Sequence, residues 1–189
     1  MEAVVDQQVK LARIANVVTV QFDVSHPEYT RLIESVGRFR FQQWRTANMN
    51  MSNTLKAQTW IEAQDELAWH WLSSVEGQVI ASARLSIHNS LSDLPEGELY
   101  KGLDDLYPQK IASFNRLIVD EGYRGLGVAA NLVQCRIEQA AYLGAKSIAL
   151  DCPQHRVKAM QQVGFETVKA PQVGTKCPDI MWYPMRKLL

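Results

Sequence analysis

The part of the sequence that most clearly predicts chemistry is a glycine-punctuated stretch at residues 120–126. It follows an apolar run and precedes a helical pattern, so it predicts a loop that leads from a strand into a helix. The start of a helix presents unpaired N–H groups and a partial positive charge, which together bind anions such as phosphate. Arg124 adds a planar donor, and Gly125 and Gly127 carry no side chain that would hold a phosphate away from the backbone. The sequence therefore predicts a phosphate-binding loop.

Hydrophobic periodicity predicts the elements that position this loop. Apolar and polar residues alternate over 78–88, and the turn Val75-Glu76-Gly77 joins this run to another strand-like run at 68–74, which predicts an antiparallel hairpin. Helical spacing predicts an amphipathic helix opened by Pro27, whereas residues 47–59 show no clean period. The other predicted strands are 11–22, 111–119, 147–151, 165–170 and 180–186, and the other predicted helices are 99–106, 127–143 and 154–163.

Two phosphate ligands compete for the predicted loop. Residues 125–130 fit the dinucleotide-binding pattern GxGxx(G/A), and Asp151 lies roughly 20 residues further on, where a ribose-binding acid would lie. A dinucleotide-binding fold, however, opens with this unit and continues with further strand–helix repeats. Here a helix and a hairpin come first, and only about 60 residues follow Ala130. The order of elements disfavours the dinucleotide interpretation.

The same residues, taken with their flanks, resemble a known family. Leu117-x-Val119 followed by residues 123–129 (YRGLGVA) resembles the acetyl-coenzyme A signature (Q/R)xxGx(G/A) of the GNAT acyltransferase superfamily, with Arg124 and Gly127 taken as its ends. The order of elements is also similar over most of the chain, down to a Gly164-Phe165 pair like the closing GF of the family. The resemblance implies one GNAT-like N-acyltransferase domain over residues 1–189, of class α/β (α+β), whose mixed, largely antiparallel sheet is flanked by helices.

The resemblance also implies a cofactor, acetyl-CoA or another acyl-CoA. No metal is expected, because no cluster of His, Cys or carboxylate residues has metal-ligand spacing. The main chain of Leu117, Ile118 and Val119 would hydrogen-bond the pantetheine arm. In the family the sheet splits beside this strand. Here the split would lie between this strand and the strand ending at Asp151, and the opening would admit the thioester. The residues that would surround the pyrophosphate are Arg124, Gly125, Leu126, Gly127, Val128 and Ala129.

Transfer of the acyl group requires an amine close to the thioester, a donor to the oxyanion and a proton for the departing thiolate. We expect an acyltransferase of the N-acetyltransferase type, in which a primary amine of a small molecule or peptide attacks directly. The tyrosine that serves as acid in the family is replaced by Met160, and its asparagine by Pro153. His155 or Cys152 are the substitute candidates, beside water. For the general base, the sequence leaves open Asp120, Glu121, Glu62 or a water-mediated route.

Two further interpretations stay open. Residues 114–119 (FNRLIV) are similar to the SRxxV-type strand of acyl-homoserine-lactone and N-acyl amino acid synthases, and Arg40 with Trp44 resembles an Arg-x-x-x-aromatic pattern of the same enzymes. This similarity implies a longer-chain N-acyl synthase. The loss of the usual residues at Met160 and Pro153 instead suggests a CoA-binding sensor domain without catalysis.

Composition excludes several other classes of protein. The 189 residues are 47% hydrophobic, and 20 basic side chains balance 20 acidic ones, so the chain lacks the positive field that binding to nucleic acid needs. Neither a basic leader followed by an apolar stretch nor a long apolar run occurs, which predicts a cytoplasmic protein without membrane attachment. Cys135, Cys152 and Cys177 show neither disulfide nor zinc spacing. Whether the chain forms a homodimer is left open.

Overall fold

The structure, a computed structural model, describes residues 16–46, 58–173 and 180–189. Its fold is α/β, with a mixed, mostly antiparallel sheet of eight strands flanked by helices, as the sequence predicts. The strand order is β1-β2-β3-β4-β5-β8-β6, and β7 pairs with β8. In chain order the elements are β1 (Val18–Phe22), α1 (Tyr29–Thr46), β2 (Ala68–Val75), β3 (Gln78–His88), β4 (Ile111–Val119), α2 (Val128–Tyr142), β5 (Ser147–Pro153), α3 (Val157–Gln162), β6 (Glu166–Thr167), β7 (Gln172–Val173) and β8 (Met181–Leu188).

The chain forms two compact units, each built from two stretches of sequence. The first unit comprises the described residues up to Arg84 together with Arg116–Gln134, and the second comprises Leu85–Asn115 and Cys135–Leu189, without the undescribed residues 174–179. Strands β3 and β4 and helix α2 each run from one unit into the other. That residues 1–189 act as a single domain stays a prediction.

The first unit packs helix α1 on the strands that precede and follow it. β1 pairs antiparallel with β2, from Val18 opposite Ser74 to Phe22 opposite His70. The helical spacing of apolar residues places one face of α1 in a core, because residues three and four apart share a face. That core consists of Phe22, Leu32, Ile33, Val36 and Leu72.

The predicted hairpin between β2 and β3 is confirmed, and its turn explains its sequence. The two residues between the strands, Glu76 and Gly77, both have positive φ angles, of 50° and 80°. Positive φ at both central positions is the type I′ turn, whose twist matches that of the flanking strands. Glycine adopts this conformation freely, which accounts for Gly77 at the second position.

The second unit is organised around β5. Residues Ile111–Phe114 of β4 pair parallel with Ser147–Leu150, and β8 pairs antiparallel with β5 on its other side. Its core contains Leu91, Leu94, Tyr100, Tyr107, Ile111 and Ala149. Two short strands, β6 and β7, pair with β8 at different points along its length.

Some predicted elements differ from the structure. The helix predicted at 99–106 is two short 3-10 segments, Gly97–Tyr100 and Asp104–Leu106, because Gly102 has a φ of 79° and interrupts the helical path. The strand predicted at 165–170 is only the two residues of β6. The prediction of an irregular segment at 47–59 falls almost entirely outside the described residues.

Two predicted boundaries also shift at the ends of elements. β1 begins at Val18 instead of at residue 11, and residues 11–15 of that prediction lie outside the described ranges. The helix predicted at 154–163 begins with a 3-10 turn, Gln154–Arg156, and becomes α-helical from Val157. Tightened first turns of this kind are common at helix ends.

Candidate active site

The glycine loop, defined here as residues 120–127, joins β4 to α2 as the sequence predicts. After a 3-10 turn at Glu121–Tyr123, Gly125 and Gly127 take left-handed backbone conformations, with φ of 75° and 83°. No atom lies within 4 Å of the position that a Cβ would occupy at either glycine. Both glycines are therefore required by the backbone conformation and not by crowding.

The end of the loop presents backbone donors at the start of α2. The N–H of Asn131 donates to Gly127 O at 3.0 Å. The N–H groups of Val128, Ala129 and Ala130 therefore precede this hydrogen bond, and the first N–H groups of a helix have no partner within it. Arg124 is exposed beside them, and its Nε donates to Val119 O at 3.2 Å. N–H groups without a partner inside the helix, the positive helix end and a guanidinium form an arrangement suited to an anion.

Asp120 fixes the entry to the glycine loop. Its Oδ1 accepts the Gly122 N–H at 3.0 Å, and its Oδ2 accepts Nε2 of Gln43 at 2.8 Å. Its own N–H donates to Ile80 O at 2.8 Å. Asp120, a candidate general base from the sequence, thus uses both carboxylate oxygens to shape the loop. The contribution of Gln43 was missed by sequence reasoning, because 77 residues separate it from Asp120.

Strand β4 changes conformation just before the residues predicted to bind pantetheine. Arg116 has a φ of 54°, in the left-handed region that residues other than glycine seldom adopt within a strand. Leu117 and Ile118 follow as half-buried residues, and Val119 is buried. The positive φ interrupts the regular alternation of the strand and re-aims the residues next to it, as β-bulges do.

Arg116 belongs to a cluster of five ionised side chains in the first unit, called here the buried charge cluster: Arg40, Glu62, Asp65, Arg84 and Arg116. Nη1 of Arg40 donates to both oxygens of Asp65, at 3.0 and 2.9 Å. Nη1 of Arg84 donates to Asp65 Oδ1 at 2.8 Å and to Glu62 Oε2 at 3.0 Å. Arg116 makes a bidentate pair with Glu62, with Nε to Oε2 at 2.8 Å and Nη2 to Oε1 at 2.5 Å. The cluster thus links α1, β3 and β4 through two acids of one 3-10 turn (Ala63–Leu67), Glu62 at its N-terminal cap and Asp65 within it.

The electrostatics of the cluster keep its acids ionised. Burial alone raises the pKa of Asp65, but the guanidinium groups of Arg40 and Arg84 outweigh it and hold that pKa below its ordinary value. The pKa of Glu62 is lowered in the same way, since Arg116 and Arg84 overcome the effect of burial. Burial lowers the pKa of Arg40 to about 10, so this guanidinium stays charged at neutral pH. A lowered pKa makes Glu62 a poor general base.

Aromatic side chains cover the outer side of this cluster. The guanidinium of Arg116 lies 4.6 Å from the ring centroid of Trp60, a cation–π distance. Trp60 in turn meets Trp44 of α1 edge to face, with 4.6 Å between ring centroids. The side chains of Arg116 and Glu62 keep 16% and 20% of their surface exposed, whereas those of Arg40, Asp65 and Arg84 are fully buried. The exposed edge of the cluster is therefore the Arg116–Glu62 pair.

Comparison with models of protein families shows which family contains this sequence. The sequence matches the model of the Acetyltransferase (GNAT) family over residues 29–165, which includes the glycine loop and the buried charge cluster. This chain belongs to the GNAT family. No curated protein matches the sequence significantly.

Several solved structures share the fold of this chain. The acyl-homoserine lactone synthase BjaI, described as CoA-dependent and solved with MTA, aligns with a TM-score of 0.73 at 13% identity, over 90% of this chain and 82% of its own. FeeM, an N-acyl amino acid synthase from uncultured soil microbes, gives 0.66 at 10% identity, over 89% and 90%. An acyl-CoA N-acyltransferase from Pseudomonas aeruginosa gives 0.63 at 15% identity, over 90% and 99%. At these identities the likeness shows the fold alone.

The proton donors predicted for this GNAT chain lie in the second unit. His155 is exposed, in the 3-10 turn before α3. Cys152 is 1% exposed, and burial raises the pKa of its thiol to about 11, so it is neither a ready nucleophile nor a ready acid. Met160, where the family has its tyrosine, is buried in α3. The catalytic roles of His155 and Cys152 stay predictions.

Further polar contacts in the second unit were not foreseen from the sequence. The hydroxyl of Tyr100, a buried residue, donates to Asp151 Oδ1 at 2.5 Å. Burial and the neighbouring Asp151 carboxylate raise the pKa of Tyr100 well above its usual value. Nε2 of His88 lies 2.9 Å from Ser113 Oγ, which also accepts from Asn115 Nδ2 at 3.3 Å. The Tyr100–Asp151 and His88–Ser113 contacts join residues 51 and 25 positions apart, so no local sequence pattern indicates them.

Within the described ranges, no group of three or more His, Cys, Asp or Glu side chains is placed to hold a metal ion. Among the helices of the described chain, none combines the length and the apolar character needed to cross a bilayer.

Proposed function

We propose that this chain transfers an acyl group, most simply acetyl, from acetyl-CoA or another acyl-CoA to a primary amine of a small molecule or peptide. The observation that carries the proposal is the glycine loop, with its two left-handed glycines, its exposed arginine and the first N–H groups of α2, which have no partner within the helix. A diphosphate, such as that of coenzyme A, is the kind of group that these donors bind. Membership of the GNAT family supports coenzyme A over a dinucleotide.

Within this proposal the cofactor lies along the end of β4 and the loop that follows. The main chain of Leu117, Ile118 and Val119 binds the pantetheine arm, and the positive φ of Arg116 presents these residues. The diphosphate lies against the six residues from Arg124 to Ala129. The hydrogen-bond donors of the loop already have the orientation that the diphosphate requires, so they do not need to reorient when the cofactor binds.

The reaction proposed is direct attack of the neutral amine on the thioester carbonyl. The carbon–sulfur bond breaks as the carbon–nitrogen bond forms, the amine loses a proton and the departing thiolate takes one. We assign protonation of the thiolate to His155 before Cys152, because His155 is exposed whereas the Cys152 thiol is buried and has a raised pKa. Asp120 and Glu62 are occupied by hydrogen bonds, which leaves Glu121 or a water as the base.

The binding part of the proposal is tested by thermal unfolding with ligands. Acetyl-CoA, longer acyl-CoAs and NAD(P) are each added at about 100 times an expected dissociation constant, where a specific ligand stabilises by about 2.7 kcal/mol. For a chain of this size that corresponds to a rise in Tm of about 5–11 °C. A rise with the CoA thioesters but not with NAD(P) is expected. Stabilisation by NAD(P) alone would overturn the proposal.

Two variants separate binding from turnover. Arg124→Ala should raise the dissociation constant for acetyl-CoA, measured by calorimetry, while Arg31→Ala, an exposed arginine of α1, should leave it unchanged. His155→Ala should lower kcat with little change in cofactor affinity, and the exposed Lys158→Ala on α3 serves as its control. Unchanged affinity in the first variant, or an unchanged rate in the second, would remove the corresponding residue from the mechanism.

A second candidate, a longer-chain N-acyl synthase, is favoured by the buried charge cluster. Three guanidinium groups face two carboxylates there, and among the described residues Nε and Nη2 of Arg40 have no hydrogen-bond partner. The cluster also contains Arg40 and Arg116, two residues on which the similarity to acyl-homoserine-lactone and N-acyl amino acid synthases depends. BjaI and FeeM, which share the fold, carry those descriptions.

Chain length and turnover distinguish the candidates. Release of free thiol is followed with acetyl-, hexanoyl- and dodecanoyl-CoA against a panel of primary amines that includes amino acids. Preference for acetyl-CoA supports the first function, and a kcat/KM that rises with chain length supports the synthase. Binding of acyl-CoA without release of thiol from any pair would indicate a sensor domain that has lost catalysis.

A further inference from the structure

A single side chain, Gln43 of α1, connects this helix to the glycine loop. Its Nε2 donates to Asp120 Oδ2 at 2.8 Å, and the other oxygen of the same carboxylate accepts the Gly122 N–H at 3.0 Å. The Asp120 N–H is held by Ile80 O at 2.8 Å. The aspartate is therefore fixed from two sides, by the helix and by a strand, before its Oδ1 reaches the loop backbone.

The loop needs such a connection because little else packs against it. Glu121, Gly122, Arg124, Gly125 and Gly127 are all exposed. A loop with few buried contacts opens easily, and a ligand that binds it must offset the entropy lost on ordering. A carboxylate that accepts a hydrogen bond at only one oxygen can still rotate. A carboxylate that accepts hydrogen bonds at both oxygens cannot, and it keeps the turn closed. Preorganisation of this kind raises affinity without a new contact to the ligand.

The position of Gln43 is itself set by the buried charge cluster. Arg40, three residues earlier on the same helix, is fully buried and paired with Asp65 at 2.9 Å. Helix α1 cannot slide or rotate without breaking that pair. The amide group also fits its place chemically, because it donates to a carboxylate without adding a charge, whereas a glutamate there would repel Asp120.

We propose that Gln43 is a positioning residue for the glycine loop. It acts through Asp120 on the backbone of Gly122 and holds the loop in the conformation that receives the diphosphate. The inference rests on the proposed function for the identity of the ligand, but the effect of Gln43 on the loop does not depend on any ligand. Helix α1 therefore contributes to cofactor affinity through the loop, without itself contacting the cofactor.

The test uses Gln43→Leu, which keeps the size of the side chain and removes the donor. Gln42→Leu, at an exposed neighbouring position of α1, is the matched control. In the ligand-free protein, hydrogen exchange of the loop amides at 121–127 should become roughly tenfold faster in Gln43→Leu and stay unchanged in Gln42→Leu. Gln43→Lys, which restores a donor to Asp120, should return exchange toward that of the unsubstituted protein.

Binding and kinetics provide the second measurement. Gln43→Leu should raise the dissociation constant for coenzyme A, measured by calorimetry, and the KM for acyl-CoA about tenfold, with kcat within about twofold. Combined with Asp120→Ala the effects should not add, because both substitutions break the same connection. Additive effects, or an equal loss in Gln42→Leu, would overturn the inference.

The two proposals fail in different ways. If the unsubstituted protein does not bind coenzyme A, the proposed function is wrong, but the exchange measurement still decides the role of Gln43. If coenzyme A binds and the loop amides of Gln43→Leu exchange as in the unsubstituted protein, the role of Gln43 is wrong and the proposed function stands.

Discussion

Replacement of Asp65 by asparagine should strongly destabilise this protein. The Asp65 side chain is fully buried and accepts from Arg40 at 2.9 and 3.0 Å and from Arg84 at 2.8 Å. Asparagine preserves the shape and volume of the side chain but removes its charge. Two buried guanidinium groups would then face a neutral amide, one side of which is itself a donor. The substitution therefore isolates the electrostatic contribution of Asp65 from its packing.

The size of the effect follows from the burial of the partners. Removal of one member of a buried ion pair costs about 3–5 kcal/mol, because it leaves a buried charge uncompensated. With an m-value of about 2 kcal/mol per molar urea, the unfolding midpoint should fall by about 1.5–2.5 M. Urea is the denaturant to use, because it is uncharged and leaves the ionic strength constant while exposed and buried ion pairs are compared.

A control of the same chemistry lies on the exposed face of α1. Glu34 and Arg38 form an ion pair at 3.4 Å, with 54% and 60% of their side-chain surfaces exposed. Glu34→Gln should cost at most about 1 kcal/mol, since exposed pairs contribute little. If Asp65→Asn lowered the midpoint no more than Glu34→Gln does, the buried charge cluster would not contribute to stability as the geometry implies.

The pH dependence gives an independent check on the same residue. The folded-state pKa of Asp65 lies below its ordinary value of 3.8, so its contribution is present above that value and is lost as the pH falls through the lower, folded-state pKa. The unsubstituted protein should therefore lose stability on acidification below about pH 4 more steeply than Asp65→Asn does. Equal slopes for the two proteins in urea titrations at pH 2–5 would contradict the direction of this pKa shift.

Two further predictions concern buried rings with polar atoms. Burial lowers the pKa of His70 to about 4, whereas an unfolded histidine binds its proton near 6.5, so stability should fall by about 1.4 kcal/mol for each pH unit as the pH falls from about 6.5 to about 4. His70→Gln should remove this slope in urea titrations at pH 4–7, and an unchanged slope would refute it. Tyr100→Phe should cost roughly 1.5–3 kcal/mol in urea, because it removes the hydrogen bond from the buried hydroxyl to the Asp151 carboxylate, whereas Tyr142→Phe at an 84% exposed position should cost nothing measurable. Equal costs in the two tyrosine variants would show that the Tyr100 hydroxyl does not stabilise the fold.

The sequence predicted strand β3 from its alternation, but it did not predict the surroundings of the polar face. Ser82, Arg84 and Ser86 lie on the face expected to be the more polar one, and all three are buried. Alternation fixes which residues share a face of a strand, because successive side chains point to opposite sides. It does not say what covers that face. Here part of the covering is charged, since Glu62 and Asp65 pair with Arg84.

The candidate site divides in the same way between local and non-local information. The glycine loop is a local feature, because the glycines, the arginine and the start of the helix lie within a few residues of one another, and its strand–loop–helix context was predicted. The buried charge cluster joins residues from positions 40 to 116. The sequence did not indicate a role for its central member, Asp65. Asp65 is one of three acids between positions 62 and 66, and no pattern distinguishes it from the other two until the fold brings two arginines to it.

The positive φ of Arg116 connects the buried charge cluster with the proposed cofactor site. A left-handed conformation at a residue other than glycine costs about 1–3 kcal/mol and persists only where the surroundings impose it. Bidentate pairing with Glu62 and stacking on Trp60 are contacts that hold this side chain in place. The next three residues are those proposed to bind pantetheine. The cluster therefore does more than stabilise the first unit, because the conformation that it maintains at Arg116 sets the course of the backbone toward the glycine loop.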